Sequence, residues 1–514
     1  MAVPDYFRRN AVAISQVMYG LDEERLASML DRVCIGVTIG ADAGGKEGQA
    51  TVDLLVRLLA RLYPSIVIRN EADGDIADEA VALAQRINPR VNLSGQPTVE
   101  VVVGSARHRP ESAGAVFAGS AGWCARLSTC RPQACGESNN PLGAGVAACL
   151  AAATLFRHVF LGGAGWERDV EFAVPGADQF GDGVAEFAGE VGGLVLAGAG
   201  AVGNAAAWAL ARSEVRGTIE IVDHEAVDLG NLQRYVLAER NDEDKRKAEL
   251  VAVKFTGTLG ARAHDCRIAD FLEKTNHKVE NLLLALDSAK DRRTAQASLP
   301  RRIANAWTQP GDLGVSQHQF LDGACVNCLY LPDIRHRNED EIIAEAFGVP
   351  DKLTEVRELL YHRAGAPRGL LEAIATARGL PLDKLLAFEG RPLRNLYTEG
   401  FCGGAVIPLS ETGAPAKELH VPLAHQSALA GVLLAAAGVA MGVRGCAGSF
   451  VAQYDVLKPQ ERFQVYPAAK RPGNTCICQD EDYREVYRKK HGRTAWDERR
   501  RDGGQAEGAG ARAS

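Results

Sequence analysis

Apolar and polar positions along this chain fall into the same order twice. In the second third, a short apolar run from Leu194 to Leu196 leads into Gly198-Ala-Gly200-Ala-Val-Gly203, and a helix opens at Gly203. A second apolar strand, Ile219 to Val222, ends at Asp223, and a third, Leu282 to Leu286, ends at Asp287. Strand, glycine turn, helix and strand in that order predict a parallel, doubly wound sheet. Glycines at the turn let backbone N–H groups approach a phosphate, and the helix N-terminus adds a positive dipole end. Asp223, 20 residues past Gly203, stands where a carboxylate accepts ribose hydroxyls. The segment therefore reads as a nucleotide site.

The first third repeats the order in worn form. Val33 to Ile39 is an apolar strand, residues 40–48 a glycine-rich turn, Ala50 to Leu62 an amphipathic helix and Ser65 to Ile68 the next strand, with another at Val99 to Val103. The Ala-rich helix Gly143 to Leu155 echoes a second one, Ser427 to Met441, whose length is short of a bilayer and which reads as a buried helix. The turn at 40–47 approaches a phosphate loop but ends in Glu47, where a hydroxyl is needed. Lys46 and Glu47 are read as solvated. After Leu331, three amphipathic helical segments (Asn338 to Phe347, Lys352 to His362 and Leu370 to Arg378) form an insert. The end of the chain, from Arg484, is charged and then Gly/Ala-rich, the pattern of a disordered tail.

The chemistry in the second third goes beyond a bare nucleotide fold. Gly230-Asn231-Leu-Gln-Arg234-Tyr235 follows the second strand, Lys247 lies one helical stretch on, and Glu225 follows Asp223 by two. Two cations and a carboxylate suit a triphosphate with magnesium better than a nicotinamide. These residues resemble the ThiF/ubiquitin-activating superfamily, whose pattern is GxGxxG, D-x-D/E, S-N-L-x-R-Q, a lysine, and an Asp after a strand. The chain departs from it at Gly230, Tyr235 and Ser288, which usually are Ser, Gln and Asn.

The resemblance implies a fold and a chemistry. The fold is α/β, with two Rossmann-like ThiF-type adenylation folds, one degenerate (1–165) and one active (166–330, completed by 403–483). A helical insert (331–402) ends in a catalytic-cysteine loop, and 484–514 is a tail. ATP would be held by Gly198, Gly200, Gly203, Asp223, Glu225, Asn231, Arg234, Lys247 and Asp287, with magnesium on Asp287. Family members often send an N-terminal arginine to a partner's ATP, a role open to Arg8 or Arg9. Arg234, Lys247, Asp287 and Cys402 would be catalytic. Cys402 lies between Phe401 and a Gly-Gly pair, in the family position of the thioester-forming cysteine; Cys446 and Cys266 are its rivals. The implied partners are a ubiquitin-like protein and a conjugating enzyme, and a homodimer is left open. The family members nearest in pattern are the activating enzymes of bacterial ubiquitin-like conjugation operons implicated in phage defence. A sulfur-carrier adenylase that stops at the adenylate, and a non-catalytic nucleotide-binding scaffold, are the alternatives.

Composition narrows this further. The chain has 514 residues, 46% hydrophobic and 24% charged, with a net charge of −7, so no basic field invites nucleic acid. The N-terminus has no apolar core of a secretory signal, and no membrane partner is expected. Twelve cysteines then point to a reducing cytoplasm and to thiol or metal chemistry. Cys325-Val-Asn-Cys328 and Cys476-Ile-Cys478 are two close pairs far apart in sequence, the way a tetrahedral zinc staples a chain, unless they are unrelated buried thiols. Cys124, Cys130 and Cys135 have no ligand spacing and read as core or loop thiols.

Overall fold

The computed structural model describes residues 4–16, 18, 23–110, 112, 114–162, 169–175, 189–309, 312–331, 339–397, 421–445, 448–457 and 464–492. The first half begins with helices α1 (Phe7–Ser15) and α2 (Glu23–Leu30). Its sheet comprises β1 (Ile35–Ile39), β2 (Ile66–Asn70), β3 (Val99–Val103), β4 (Ala115–Ala121), β5 (Cys124–Ser128) and β6 (Asp169–Ala173). Helices α3 (Lys46–Leu59), α4 (Ile76–Ile87) and α5 (Pro141–Leu161) connect them. Strand order is β2-β1-β3-β4-β5-β6, parallel from β2 to β4 and antiparallel thereafter. Because β6 pairs with β5, Ser128 opposite Asp169, the first half extends past the expected boundary at 165.

The second half contains β7 (Glu190–Ala197), α6 (Ala201–Ala211), β8 (Arg216–Val222), α7 (Lys247–Ala252) and β9 (Leu259–His264). Then come α8 (Ile268–Lys274), β10 (Asn281–Leu284), α9 (Ala289–Ala297), β11 (Arg302–Gln309), β12 (Asp312–His318) and α10 (Val326–Tyr330). After the insert, α16 (Ala424–Arg444), β13 (Phe450–Tyr454), β14 (Gln464–Pro467) and α17 (Glu481–His491) complete it. Its order, β14-β13-β12-β11-β10-β7-β8-β9, contains the run β8-β7-β10-β11-β12-β13, which repeats the first sheet strand for strand. Both runs are parallel for four strands and then antiparallel, and the long apolar helices α5 and α16 enter at the same point of each. The chain is thus an α/β protein of two copies of one fold.

Helices α5 and α16 are 21 residues each, longer than the sequence suggested, and apolar enough by length and composition to cross a bilayer. Of the apolar window in each, 78% and 89% is buried inside the protein, because the two helices pack on each other and on their own sheets. One hydrophobic core runs through both halves. It depends on close helix approach. A Cβ on Gly431 of α16 would stand 2.3 Å from the Val202 carbonyl oxygen of α6, and one on Gly145 of α5 would meet Trp208 at 2.8 Å.

The insert consists of α11 (Glu339–Ala346), α12 (Leu353–Tyr361), α13 (Arg368–Arg378), α14 (Leu382–Leu386) and α15 (Leu393–Asn395). It has a core of its own around Phe347, Val356, Leu370, Ile374 and Leu385, so its apolar stripes face one another. Two expectations are corrected elsewhere. Residues 484–491 are helical, and α17 is docked: Tyr487 Oη donates to the Arg301 carbonyl at 2.7 Å and Lys490 Nζ to that of Ser298 at 2.6 Å. Charge there serves capping contacts to carbonyls rather than solvation.

Glu47 is the second correction. It is 1% exposed, and its carboxylate accepts from Ser120 Oγ and Ser138 Oγ, both at 2.5 Å, and from the N–H groups of Gly122 and Ser138 at 3.1 Å. Asp42 does the same nearby, accepting from the Ser105 and Cys135 N–H groups at 2.6 and 3.0 Å. A buried carboxylate persists only with such donors. Lys46 alone is solvated, paired with Glu214 at 2.8 Å.

Candidate nucleotide site and cysteine cluster

The glycine turn follows β7 as the sequence predicts, but α6 starts at Ala201, with Gly200 as its N-cap. Gly203 therefore lies within the first turn. Its role is contact: a Cβ there would fall 2.0 Å from the Gly198 carbonyl oxygen. Gly198 has φ of +96°, and a Cβ on it would stand 2.6 Å from the Ala285 carbonyl oxygen. These two glycines let the turn press against the end of β10. Gly200 differs, since a Cβ there would meet only Tyr235 Oη at 3.6 Å, so the space above it is open. The first-turn N–H groups of α6 have no intrahelical acceptor and face that space.

Asp223 follows β8 directly. One carboxylate oxygen accepts the Ala199 N–H at 2.7 Å and the other the Glu225 N–H at 2.9 Å, which fixes the acid against the glycine turn. Strand β10 ends at Leu284, two residues earlier than expected, and exposed Asp287 stands in the short loop before α9. Arg292 of α9, buried, donates to the Leu286 carbonyl and to the Ala306 carbonyl, and so holds that loop.

Lys247 opens α7 and is buried, with its Nζ 2.5 Å from Glu225 Oε2 and 5.3 Å from the centre of the Tyr235 ring. Burial pulls the lysine pKa down, but Tyr235 and Glu225 outweigh it and the net direction is upward. The Lys247 hydrogen bond in turn lowers the pKa of Glu225. Arg234 lies over the same ring at 5.9 Å. Asn231 has a local duty, its side chain accepting the Asp228 N–H at 3.1 Å in a capping box.

The two N-terminal arginines differ in placement. Arg8 is exposed, whereas Arg9 on α1 turns inward, its Cγ and Cδ 3.9 Å from where a Cβ on Gly230 would stand. Burial first, and then the Arg234 charge, hold the Arg9 pKa below its ordinary value. A Cβ on Gly230 would also stand 3.1 Å from Asp228 Oδ1, a tight contact. Among the described residues neither Arg9 nor Arg234 forms an ion pair. Three cations, a glycine turn and two acids thus gather at the C-terminal edge of the second sheet. This donor set fits a nucleotide triphosphate, with Asp287 free to hold a metal.

The second site is a knot of sulfur. Cys325, Cys328, Cys476 and Cys478 are all buried, and their Sγ atoms lie within 4.8 Å of one another. Cys325 and Cys476 are 3.4 Å apart and Cys328 and Cys478 3.5 Å. Tetrahedral zinc at about 2.3 Å from each thiolate spaces sulfurs by about 3.8 Å, which this cluster accommodates despite the tight Cys-x-Cys pair. Cys402 and Cys446 lie outside the described residues. Cys266 is half-buried, and burial raises its pKa, the opposite of an activated thiol. Of the loop and core thiols, Cys135 is buried and Cys130 exposed.

The comparisons with known proteins follow this geometry. A ThiF family model matches residues 190–295, the segment that carries the turn, Asp223, Arg234, Lys247 and Asp287. Over 103 residues the chain is 35% identical to the NEDD8-activating enzyme E1 catalytic subunit of Caenorhabditis elegans, 20% of this chain and 24% of that one. Over 513 residues it is 38% identical to uncharacterized protein y4jF of Sinorhizobium fredii, covering 96% of this chain and 98% of that one, so the two are members of one family. The chain belongs to the ThiF/E1-like superfamily. A model described as Prokaryotic E2 family C matches residues 40–161 of this ThiF/E1-like chain, the stretch whose sheet repeats that of the ThiF segment. The crystal structure of E. coli MccB with MccA-N7isoASN aligns at TM-score 0.34 and 13% identity, covering 55% of this chain and 66% of that one. ThiF/E1-like proteins are adenylating enzymes that use ATP and magnesium.

Several residues that shape the site were not legible beforehand. In the sequence Tyr235 is only a departure from the family pattern, although its ring is the platform under two cations. Arg292, Arg57, Arg61 and Asp53 carried no motif. The one available signal is the four-residue spacing of Asp53, Arg57 and Arg61 along and just past the amphipathic helix α3, which marks a polar stripe on one face.

Proposed function

We propose that this chain activates a ubiquitin-like protein. The observation that carries the reading is the gathering of Arg9, Arg234 and Lys247 beside an open glycine turn, with neither arginine ion-paired. Such a group of cations calls for an anion of high charge. In the proposed reaction, the C-terminal carboxylate of the ubiquitin-like protein attacks the α-phosphorus of ATP. The bond to the bridging oxygen breaks, pyrophosphate leaves, and an acyl-adenylate remains. Lys247 and Arg234 neutralise charge on the transferring phosphate, Asp223 and Glu225 orient the ribose, and Asp287 would hold magnesium, which supplies further charge neutralisation when bound. Cys402 as thiolate then attacks the acyl carbon, AMP departs, and the thioester passes to a conjugating enzyme. The four clustered thiolates would hold one structural zinc.

Two variants test the two steps. Asp287→Ala is expected to abolish pyrophosphate exchange that depends on the ubiquitin-like partner, and exchange near the wild-type rate overturns the site assignment. Cys402→Ala is expected to keep exchange and lose the thiol-sensitive conjugate. Wild-type chain that adenylates yet never forms that conjugate favours a sulfur-carrier type of reaction instead.

A further inference from the structure

The residues next to Arg234 are held by the other half of the molecule. Arg61, just past the end of α3, is 1% exposed, and its guanidinium donates to the carbonyls of Tyr235 and Ala238. Arg57 of α3 takes the carbonyl between them, donating to Val236 at 2.9 Å. The Leu237 N–H goes to Asn204 Oδ1 on α6 at 3.2 Å, while the Tyr235 and Ala238 N–H groups bond locally to the Asn231 and Tyr235 carbonyls. Irregular buried backbone has no ladder to satisfy it, so its path follows the side chains that do. Here three of the four carbonyls of residues 235–238 accept from two arginines of the degenerate half.

The same arginine reaches the second unpaired cation by its main chain. The Arg61 carbonyl accepts from Asn10 Nδ2 at 2.6 Å, and Asn10 adjoins Arg9 on α1. Asp53 of α3 joins the set from another side, accepting Trp208 Nε1 of α6 at 2.7 Å and pairing with Arg212 at 2.8 Å. The turn-bearing helix, the Arg234 segment and the Arg9 helix are all referred to one edge of α3.

We propose that the degenerate half acts on the nucleotide site through Arg61, a positioning residue that sets the backbone path of 235–238 and thereby the pose of Arg234 toward phosphate. This rests on the reading of that site as the ATP site. Arg61 uses Nη2 for both the Tyr235 and Ala238 carbonyls and Nη1 for that of Arg57; lysine keeps the charge but has one nitrogen on a shorter reach, and does not hold all three.

A double-mutant cycle tests it. ATP with magnesium is titrated calorimetrically into the full chain carrying Arg61→Lys, Arg234→Ala or both, with near-ultraviolet circular dichroism confirming the fold. Arg61→Gln serves if the lysine variant does not fold. Arg61→Lys is expected to weaken ATP binding about tenfold in the wild-type background and less than about twofold beside Arg234→Ala, because contacting groups couple while independent ones add. An equal factor in both backgrounds, or no loss at all, overturns the proposal. ATP affinity that ignores Arg234→Ala overturns the site reading itself, and the proposal with it.

Discussion

Tyr235 is the residue on which the candidate site turns. Its ring lies under Arg234 and Lys247, and its hydroxyl faces Gly200. A cation over an aromatic face gains about 0.5–2 kcal/mol depending on desolvation. Tyr235→Leu is therefore expected to raise the KM for ATP in pyrophosphate exchange by roughly 2- to 30-fold, and Tyr235→Phe, which keeps the ring, by less. An equal effect of both variants would assign the role to the hydroxyl alone. Lys247 is legible because it opens a helix, and Arg234 and Asp287 because they stand at fixed places in a family pattern. The platform between them is not, since ring stacking across segments leaves no periodic trace. Glu47 shows the opposite failure. Its neighbours in sequence are glycine and lysine, which suggest solvent, while its four hydrogen-bond donors come from residues 120–138.

At the level of elements, the repeated strand order was legible because apolar strands and glycine turns are local patterns. Strand ends and helix lengths were not, because α5, α16 and α17 are extended by packing on distant surfaces. Two predictions follow from that packing. Gly431→Val places atoms where the α6 backbone runs and is expected to destabilise the chain by about 1–3 kcal/mol, read as a lowered midpoint in urea. Asp53 links α3 to α6. Burial alone would raise its pKa, but Arg57 and Arg212 outweigh it and the pKa is lowered. A carboxylate with a depressed folded pKa contributes stability above its unfolded value, near 3.9, and that contribution is lost as pH falls through the folded value. Wild-type chain should therefore lose stability on acidification below about pH 4 more steeply than Asp53→Asn. Parallel urea midpoints for the two chains across that range would contradict this.

In the whole molecule the two halves keep one topology and divide its uses. Asp42 and Glu47 point from the first glycine-rich turn into donors of residues 105 and 120–138, so an added phosphate would meet two fixed negative charges there. Calorimetry is accordingly expected to find one ATP per chain; two sites would refute the division of roles. Removing metal from the cysteine cluster should free α17, visible as faster hydrogen exchange in residues 481–491 with the first sheet unchanged. One further consequence lies in the course of α1. Arg9 meets Arg234 within a single chain, so no second molecule has to arrive before the cations assemble. The rate per chain should then stay constant on dilution from micromolar to nanomolar enzyme, with none of the mass-action decay shown by sites shared between subunits. With both copies on one chain, their sequences need not match. A substitution in a homodimer is felt at both sites at once, whereas here the copies can differ, and the first spends the edge of α3 on holding the backbone beside Arg234.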